Sequence, residues 1–343
     1  MSSYARLLPK AELHVHLEGA IRPETLLTLA ERHGIALPAN DLEGVREFYR
    51  FRNFLHFIEV YTTICKCLRT PEDFYLVTKE FLANQASMNV RYCETFFAPG
   101  HFIKQNADLG AIVDAITQAR REGERDYGVR MQLIADISRE MGAEFGLRIA
   151  QEMVRIKDRG VMGLGIGGAE AEFPAEWFTE AFQLAREAGM PVVAHAGEAA
   201  GPESVWSAIR NLKAQRIGHG VRSIEDPELV AYLAEHQIPL EVCPTSNLRI
   251  GIVSSYAEHP LRKLIEAGCL VTLNSDDPPM FNTDLVHEYE VAVTEFGLSR
   301  DQVEQLSRNA IRASFLSEAE KRDYLARFDA EFAALRAEPL QAR

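Results

Sequence analysis

The order of apolar segments predicts an α/β protein that closes into a single (β/α)8 TIM barrel. Short apolar runs of strand length alternate with stretches that have helical periodicity, and eight such runs occur. The 343 residues contain no linker, charge block or low-complexity stretch, and this length is normal for one barrel with insertions. We therefore expect one domain over residues 1–343. The predicted strands are Glu12–Leu17, Val90–Phe97, Arg130–Asp136, Val161–Ile166, Pro191–His195, Arg216–His219, Pro239–Cys243 and Cys269–Asn274.

Helical spacing between these runs supports parallel strands joined by crossover helices. Residues 202–212 and 226–236 each place apolar side chains on one face at 3.6-residue spacing. An open doubly wound sheet is the alternative, but it favours a G-x-G-x-x-G turn after the first strand, and the residues there are His-Leu-Glu-Gly-Ala. Glycines cluster at the end of strand four (Gly163, Gly165, Gly167, Gly168) without a P-loop lysine, which argues against a phosphate-binding loop.

Two helical additions lie outside the repeat. A segment from about residue 23 to residue 89 separates strands one and two, is rich in aromatic residues and leaves the carboxyl end of strand one. Barrel enzymes carry their sites at this face, so the insertion is either a lid or a helical cover over the barrel. The second addition, from about Ser299 to Arg343, is predicted to be helical and to pack on the barrel.

Composition limits the classes of partner. The formal net charge is −13, which argues against binding the nucleic-acid backbone or an anionic membrane but is compatible with a small neutral substrate. No apolar run of signal-peptide or membrane-spanning length is present, so a cytoplasmic location is expected. Five cysteines lie in apolar segments; the Cys65-x-Cys67 pair has no second pair to complete a metal site, so we expect core packing.

Histidines and aspartates gather at the ends of the predicted strands. His14 and His16 are two apart on strand one, so both rings point to the same side. His195 ends strand five, His219 ends strand six, and the Asp276–Asp277 pair follows strand eight. Positions so distant in the chain meet only if the sheet is closed. Because burying ionisable groups costs free energy unless they are paired or ligated, we interpret the set as a functional site.

The mixture of imidazoles and one carboxylate predicts a transition metal, with zinc first and iron or cobalt as relatives. Such a metal lowers the pKa of bound water towards neutrality. Glu198, three residues after His195, is expected in the loop above the metal, where burial would keep its carboxyl protonated and able to act as an acid. The alternative interpretation of Glu198 is a first-turn helix glutamate that interacts with the helix dipole.

Four segments together resemble the adenosine deaminase family, in the broad sense that includes adenine deaminases and other aminopurine deaminases. They are Ala-Glu-Leu-His-Val-His-Leu-Glu-Gly at 11–19, His-Ala-Gly-Glu at 195–198, Ile-Gly-His-Gly at 217–220 and Asn-Ser-Asp-Asp-Pro at 274–278. They occur in the family's order and span most of the chain. The resemblance implies zinc-dependent removal of the 6-amino group of a small-molecule aminopurine, with one Zn²⁺ per chain.

The resemblance also implies a role for each matching residue. Glu198 would protonate the purine ring nitrogen, and His219 would orient and deprotonate the attacking water. Asp277 would hydrogen-bond the imidazole half of the purine, and the Gly168 backbone amide its pyrimidine half. The residues implied as zinc ligands are His14, His16, His195 and Asp276.

Departures from the family pattern bear on the substrate. Glu18 stands where adenosine deaminases have a ribose-contacting aspartate, and adenine deaminases share this glutamate. Ala169 stands where adenosine deaminases usually have an acidic residue. The pattern resembles a bacterial subgroup that acts on modified adenosines, as do the segments Ala-Gly-Pro-Glu-Ser-Val-Trp at 200–206 and Cys-Pro-Thr-Ser-Asn at 243–247. One member of this subgroup deaminates 6-aminodeoxyfutalosine in menaquinone biosynthesis. The aromatic acid of that substrate would need a cation in the pocket. Arg50 and Arg52 of the insertion would supply this cation, or are solvated surface charges.

Three hypotheses follow. The first is the aminopurine deaminase, with adenine as an alternative substrate to a nucleoside. The second is a related barrel hydrolase that cuts an amide or ester; many of these bridge two metals with a carboxylated lysine, and no lysine lies at the end of strand four. The third is a non-enzymatic barrel with a structural zinc, although structural sites are usually closed by four cysteines or histidines without an adjacent acid.

Overall fold

Eight parallel strands form the centre of the molecule. The computed structural model describes residues 2–51 and 54–337. Strands β1 to β4 pair in sequence order in one four-stranded sheet, and strands β5 to β8 pair in the same way in a second. Their bounds are β1 Lys10–His16, β2 Val90–Phe97, β3 Arg130–Ser138, β4 Val161–Gly167, β5 Val193–Ala196, β6 Arg216–His219, β7 Leu240–Val242 and β8 Val271–Leu273.

The two sheets join at both seams and so close the ring. At one seam, Leu164 on β4 donates its N–H to the carbonyl of Pro191, 3.0 Å away, just before β5. At the other, the N–H of His16 donates to the Asp276 carbonyl at 2.9 Å, and the N–H of Asp276 donates to the His14 carbonyl at 3.1 Å. The predicted (β/α)8 barrel is confirmed, and its second seam lies between residues of the predicted site.

All eight predicted strands are present, with differences at their ends. Strand β1 begins two residues earlier than predicted, at Lys10, while β7 and β8 keep only three residues each. Strand β8 ends at Leu273; three residues further on, Asp276 adopts a left-handed backbone conformation (φ +66°) while its N–H and carbonyl still pair with β1. The local apolar pattern therefore predicts where the strands lie, but it does not predict the residues at which the strands end and the loops begin.

Helices surround the barrel and also form the insertion and the tail. The segment predicted at 202–212 splits into an α-helix and a following π-turn over Ala208–Leu212. The α-helices are α1 Ser2–Leu7, α2 Pro23–His33, α3 Leu42–Tyr49, α4 Phe54–Cys67, α5 Pro71–Ser87, α6 Pro99–Lys104, α7 Leu109–Tyr127, α8 Ala143–Ile156, α9 Thr179–Glu187, α10 Pro202–Ser207, α11 Pro227–His236, α12 Pro244–Arg249, α13 Leu261–Glu266, α14 Pro278–Phe281, α15 Leu285–Thr294, α16 Arg300–Ala313 and α17 Glu318–Ala337.

The insertion between β1 and β2 consists of helices α2 to α5 and reaches over the carboxyl ends of the strands. In it, the ring of Phe57 stacks on Phe281 of α14, with centroids 5.5 Å apart and planes 10° apart. Phe51 contacts both rings edge-on. This aromatic contact joins the insertion to the loop that follows β8 and so covers one side of the barrel mouth.

Two further expectations concern cysteines and membranes. All five cysteines are buried and free, as expected for residues that pack in the core, and Cys65 and Cys67 are among them. Among the helices of residues 2–51 and 54–337, none has the combination of length and apolar character that crossing a bilayer requires.

Candidate metal centre and active site

The carboxyl ends of β1, β5 and β8 bring four buried side chains to one point. The Nε2 atoms of His16 and His195 lie 3.3 Å apart. Asp276 Oδ1 lies 3.3 Å from His16 Nε2 and 3.5 Å from His14 Nε2. One potential ligand atom from each of the four residues lies within 4.8 Å of the other three. The structure thus brings together all four residues that the sequence predicted as metal ligands.

Hydrogen bonds to the outer nitrogens orient two of these imidazoles. His14 donates from Nδ1 to Glu241 Oε2 at 2.8 Å, and His195 donates from Nδ1 to the Ile166 carbonyl at 2.9 Å. Each bond fixes the proton on Nδ1 and leaves Nε2 as a lone-pair donor. His14 Nε2 is buried without a hydrogen bond in the described part of the chain. A buried, unpaired nitrogen that faces three other donor atoms fits a bound cation.

Packing around the cluster is adapted to these side chains. Asp276 Oδ2 accepts a hydrogen bond from Ser246 Oγ at 2.6 Å, so Oδ1 remains the oxygen that faces the imidazoles. Gly218 on β6 leaves room for the His14 ring, because a Cβ at this position would lie 2.8 Å from His14 Cε1. A larger residue at 218 would displace the ring.

Three imidazoles and one carboxylate are the donor set of a zinc-type site rather than of a hard Mg²⁺ or Ca²⁺ site. A second group, His219 with Cys243 and Asp276, is also close enough to share an ion. However, Asp276 Oδ2 is already hydrogen-bonded to Ser246, and burial raises the pKa of the Cys243 thiol well above its ordinary value. We therefore assign one candidate cation to the first group.

Glu198 and His219 lie beside the cluster, in the loop after β5 and at the end of β6. Glu198 Oε1 is 3.3 Å from His219 Nε2, which is 3.9 Å from Asp276 Oδ2. Burial, and then the negative charges of Asp276 and Glu170, raise the pKa of Glu198 well above its ordinary value. The carboxyl therefore keeps its proton to higher pH than an exposed glutamate does. The Glu198 side chain keeps 16% exposure and faces the cavity, as an acid that meets a substrate must.

Glu170, which the sequence analysis did not single out, holds the loop that carries Glu198. Its Oε1 accepts the Gly197 N–H at 2.6 Å, and its Oε2 accepts the N–H groups of Glu198, Ala199 and Ala200 at 3.1, 2.8 and 3.0 Å. One buried carboxylate thus satisfies four successive backbone donors. The only sequence signal was an acidic residue two positions after the last glycine of the cluster, Gly168.

The predicted purine-contacting residues differ in their placement. Asp277 and Gly168 both line the cavity beside the cluster. Asp277 Oδ1 is buried without a hydrogen bond in the described residues, and burial, with the neighbouring Asp276 charge, raises the pKa of Asp277 to about 8. Glu18 is not among the residues that line the cavity; it is fully buried, its Oε1 accepts the Ala98 N–H at 3.0 Å, and its Oε2 has no hydrogen bond among the described residues.

Asp136, at the end of β3, is a further cavity residue that the sequence analysis did not identify. Burial raises its pKa to about 7, the nearby His16 and His14 acting in the opposite direction. The strand-end criterion that selected His195 applies equally to Asp136, since it is the last residue of the predicted third strand. Glu241 had no such signal, because its role depends on contact with a strand 227 positions away in sequence.

Apolar side chains of the insertion line one side of the cavity, which has a volume of about 120 Å³. Phe57, Ile58 and Tyr61 of α4 line it together with Phe281 of α14, on which the Phe57 ring stacks. Arg50 lies elsewhere: it is exposed, pairs with Glu47 at 3.1 Å and lines a separate cleft of the surface. Arg52, the other proposed cation, lies outside the described residues.

A cluster of three histidines and an aspartate that could hold a metal ion, at the carboxyl face of a (β/α)8 barrel and next to a buried acid that lines a cavity, is typical of a metal-dependent hydrolase. Residues 9–331 match the family model described as Adenosine deaminase. The chain belongs to the adenosine deaminase family, and it is a deaminase.

Individual relatives agree with this assignment. The chain is 42% identical to an aminodeoxyfutalosine deaminase of Streptomyces avermitilis, over 97% of this chain and 94% of that protein. Among solved structures, an adenine deaminase from Arthrobacter aurescens superimposes with a TM-score of 0.91 at 34% identity, covering 96% of this chain and 100% of that one. A zinc-bound amidohydrolase from Burkholderia ambifaria gives a TM-score of 0.90 at 29% identity, covering 98% and 95%.

Proposed function

We propose that the protein is a zinc-dependent hydrolase that removes the 6-amino group of an aminopurine nucleoside, with 6-aminodeoxyfutalosine as the first candidate substrate. The observation that carries the proposal is the convergence of His14, His16, His195 and Asp276 beside the buried acid Glu198. The substrate follows from the 42% identity with the Streptomyces aminodeoxyfutalosine deaminase over nearly the full length of both chains.

The metal has a defined task in this reaction. His14, His16, His195 and Asp276 would hold a zinc ion, which would supply Lewis acidity that lowers the pKa of water towards neutrality. His219 Nε2, 3.9 Å from Asp276 Oδ2, hydrogen-bonds the attacking oxygen and orients it towards carbon 6 of the purine. Addition of water at this carbon and loss of ammonia give the 6-oxopurine.

Protein groups handle the protons and the ring. Glu198 holds a proton, because burial raises its pKa, and delivers it to the ring nitrogen beside carbon 6 as negative charge develops there. On the other half of the purine, a protonated Asp277 donates to nitrogen 7, which carries only a lone pair. The Gly168 backbone N–H contacts the pyrimidine half, and Phe57, Tyr61 and Phe281 exclude bulk water.

Adenine is a second candidate substrate. The family resemblance implies that Glu18 is shared with adenine deaminases, and an adenine deaminase of solved structure is 34% identical with full coverage of its chain. Glu18 Oε1 accepts the Ala98 N–H, while its buried Oε2 has no hydrogen bond among the described residues. The cytoplasmic location expected from the sequence is part of the proposal and is tested by cell fractionation.

A substrate comparison tests the proposal. Purified, zinc-loaded protein is incubated with 6-aminodeoxyfutalosine, adenosine and adenine, and ammonia release and the ultraviolet shift of the purine are followed. We expect the highest kcat/KM for 6-aminodeoxyfutalosine. A preference for adenine would replace the nucleoside assignment, and the absence of turnover of all three by protein with one zinc per chain would contradict the proposed reaction.

A further inference from the structure

A line of three buried polar side chains leads from the cavity into the protein behind His219. Asn247 Nδ2 lies 3.2 Å from His219 Nδ1, and Asn247 Oδ1 lies 3.2 Å from His259 Nε2. His259 Nδ1 in turn lies 3.1 Å from the backbone N–H of Leu261. His219, Asn247 and His259 are exposed by 1%, 0% and 4%, so water does not compete for these bonds.

The Leu261 N–H sets the direction of every bond in the line. A backbone N–H only donates, so His259 Nδ1 accepts and the His259 proton is on Nε2. His259 Nε2–H then donates to Asn247 Oδ1, which turns the amide nitrogen of Asn247 towards His219. The amide N–H donates to His219 Nδ1, which must carry a lone pair.

We infer that Asn247 and His259 are positioning residues that hold His219 in the tautomer with its proton on Nε2. The opposite tautomer would place His219 Nδ1–H against the amide hydrogens of Asn247. If the Asn247 amide is rotated, its NH2 group faces the Nε2–H of His259. If His259 then adopts its other tautomer, its Nδ1–H faces the Leu261 N–H. Each alternative leaves two donors facing each other where no water replaces the lost bond.

This tautomer determines what His219 does in the cavity. Its Nε2–H points towards Glu198 Oε1 at 3.3 Å and Asp276 Oδ2 at 3.9 Å. A neutral ring that is protonated on Nε2 has no lone pair on this side, so it donates a hydrogen bond to the attacking oxygen instead of accepting a proton from it. The proton-accepting role that the family resemblance implied for His219 does not fit this arrangement.

Nitrogen-15 NMR of histidine-labelled protein reads the tautomer without any substrate. The His219 signals are assigned by their loss in His219→Gln, and the spectra are recorded for metal-free and zinc-loaded protein. We expect His219 to be protonated on Nε2 and bare on Nδ1 in both. Protonation on Nδ1 in the wild-type protein would overturn the inference.

One single variant, followed by one matched pair, separates positioning from packing. Asn247→Asp keeps the volume but only accepts hydrogen bonds, so it should move the His219 proton to Nδ1. Because the donor into the cavity is lost, kcat should fall about 100-fold or more, with KM changed less than about threefold and zinc content unchanged. An Asn247→Asp protein with unchanged tautomer and kcat would contradict the inference.

His259→Gln and His259→Phe provide the matched pair should Asn247→Asp fold poorly. Glutamine can still donate to Asn247 Oδ1, whereas phenylalanine fills the space without a donor. We expect wild-type tautomer and near-wild-type kcat for His259→Gln, and a mixed tautomer with reduced kcat for His259→Phe. Equal behaviour of the two variants would contradict the positioning role of His259.

The kinetic readouts rest on the proposed function, but the NMR result does not. If the expected tautomer is found and no deamination occurs, only the proposed reaction is overturned.

Discussion

Glu170 and Glu198 are linked through the backbone: the Glu170 carboxylate accepts the N–H of Glu198 at 3.1 Å and the N–H groups of the residues on either side of it. The acid therefore sits on a loop whose four donors are tied to one anion from the end of β4. Charge-assisted bonds of this kind are about twice as strong as neutral ones. This link explains how Glu198, the proposed acid, can be held firmly although it lies on a loop.

Replacing Glu170 by glutamine should loosen this loop. Glutamine offers one acceptor oxygen, and its NH2 group would face backbone N–H donors that stay buried. We expect the free energy of unfolding to fall by about 2–3 kcal/mol in urea titrations. The kcat should fall at least about tenfold with zinc content unchanged. Glu172→Gln, at an exposed position two residues further on, is the matched control and should change neither quantity. Equal effects of the two substitutions would contradict the linking role.

Glu198→Gln tests the acid itself. The amide has nearly the same shape but cannot transfer a proton, so kcat should fall by about 100- to 10,000-fold, the usual contribution of general acid catalysis. Zinc content, measured by atomic emission, and the circular dichroism spectrum should stay as in the wild type. Retained turnover would remove the acid assignment, while loss of the fold would indicate a structural role for Glu198.

The pH dependence of kcat/KM should report the same group. Glu198 acts in its protonated form, and burial together with the Asp276 charge raises its pKa well above the ordinary 4.5. Activity should therefore persist through the range in which a free glutamate is ionised and fall as the pH rises through the raised pKa. The residual activity of Glu198→Gln should lack this alkaline limb. A wild-type profile in which activity rises with pH across this range would argue against a protonated Glu198.

Gly218→Ala should weaken metal binding without removing a ligand. The new Cβ would lie 2.8 Å from His14 Cε1, so the ring must shift away from the other donors. We expect zinc affinity, measured by competition with a chelating dye, to fall by about 10- to 100-fold, as is usual when support for a ligand is lost. Zinc affinity equal to that of the wild type would show that the His14 ring does not depend on this space.

Local pattern in the sequence was sufficient for the barrel and for most of the site. Apolar runs located all eight strands, and the rule that barrel sites lie at strand ends selected His195, His219 and Asp276. The same rule applied to Asp136 but was not used for it. The strand ends were predicted less well: β7 and β8 are each shorter than their apolar runs, because the pairing of a strand with its neighbours, and not its own apolar pattern, decides where it ends.

Residues that act through other residues could not be found in this way. Glu170 reaches a loop 27 to 30 positions away, and Asn247 is placed behind His219 by the path of the chain after β7. Such contacts depend on the three-dimensional arrangement of loops, which have no periodic pattern in sequence. The family resemblance implied contact of Glu18 with substrate, which stays a prediction; in the structure its Oε1 accepts the Ala98 N–H and its Oε2 has no hydrogen bond among the described residues.

Anomalous scattering at the zinc absorption edge, recorded from crystals of the zinc-loaded protein, tests the central claim most directly. The account predicts one peak per chain, about 2.0–2.2 Å from the Nε2 atoms of His14, His16 and His195 and from Asp276 Oδ1. A peak at another position, or two peaks that share Asp276, would contradict it.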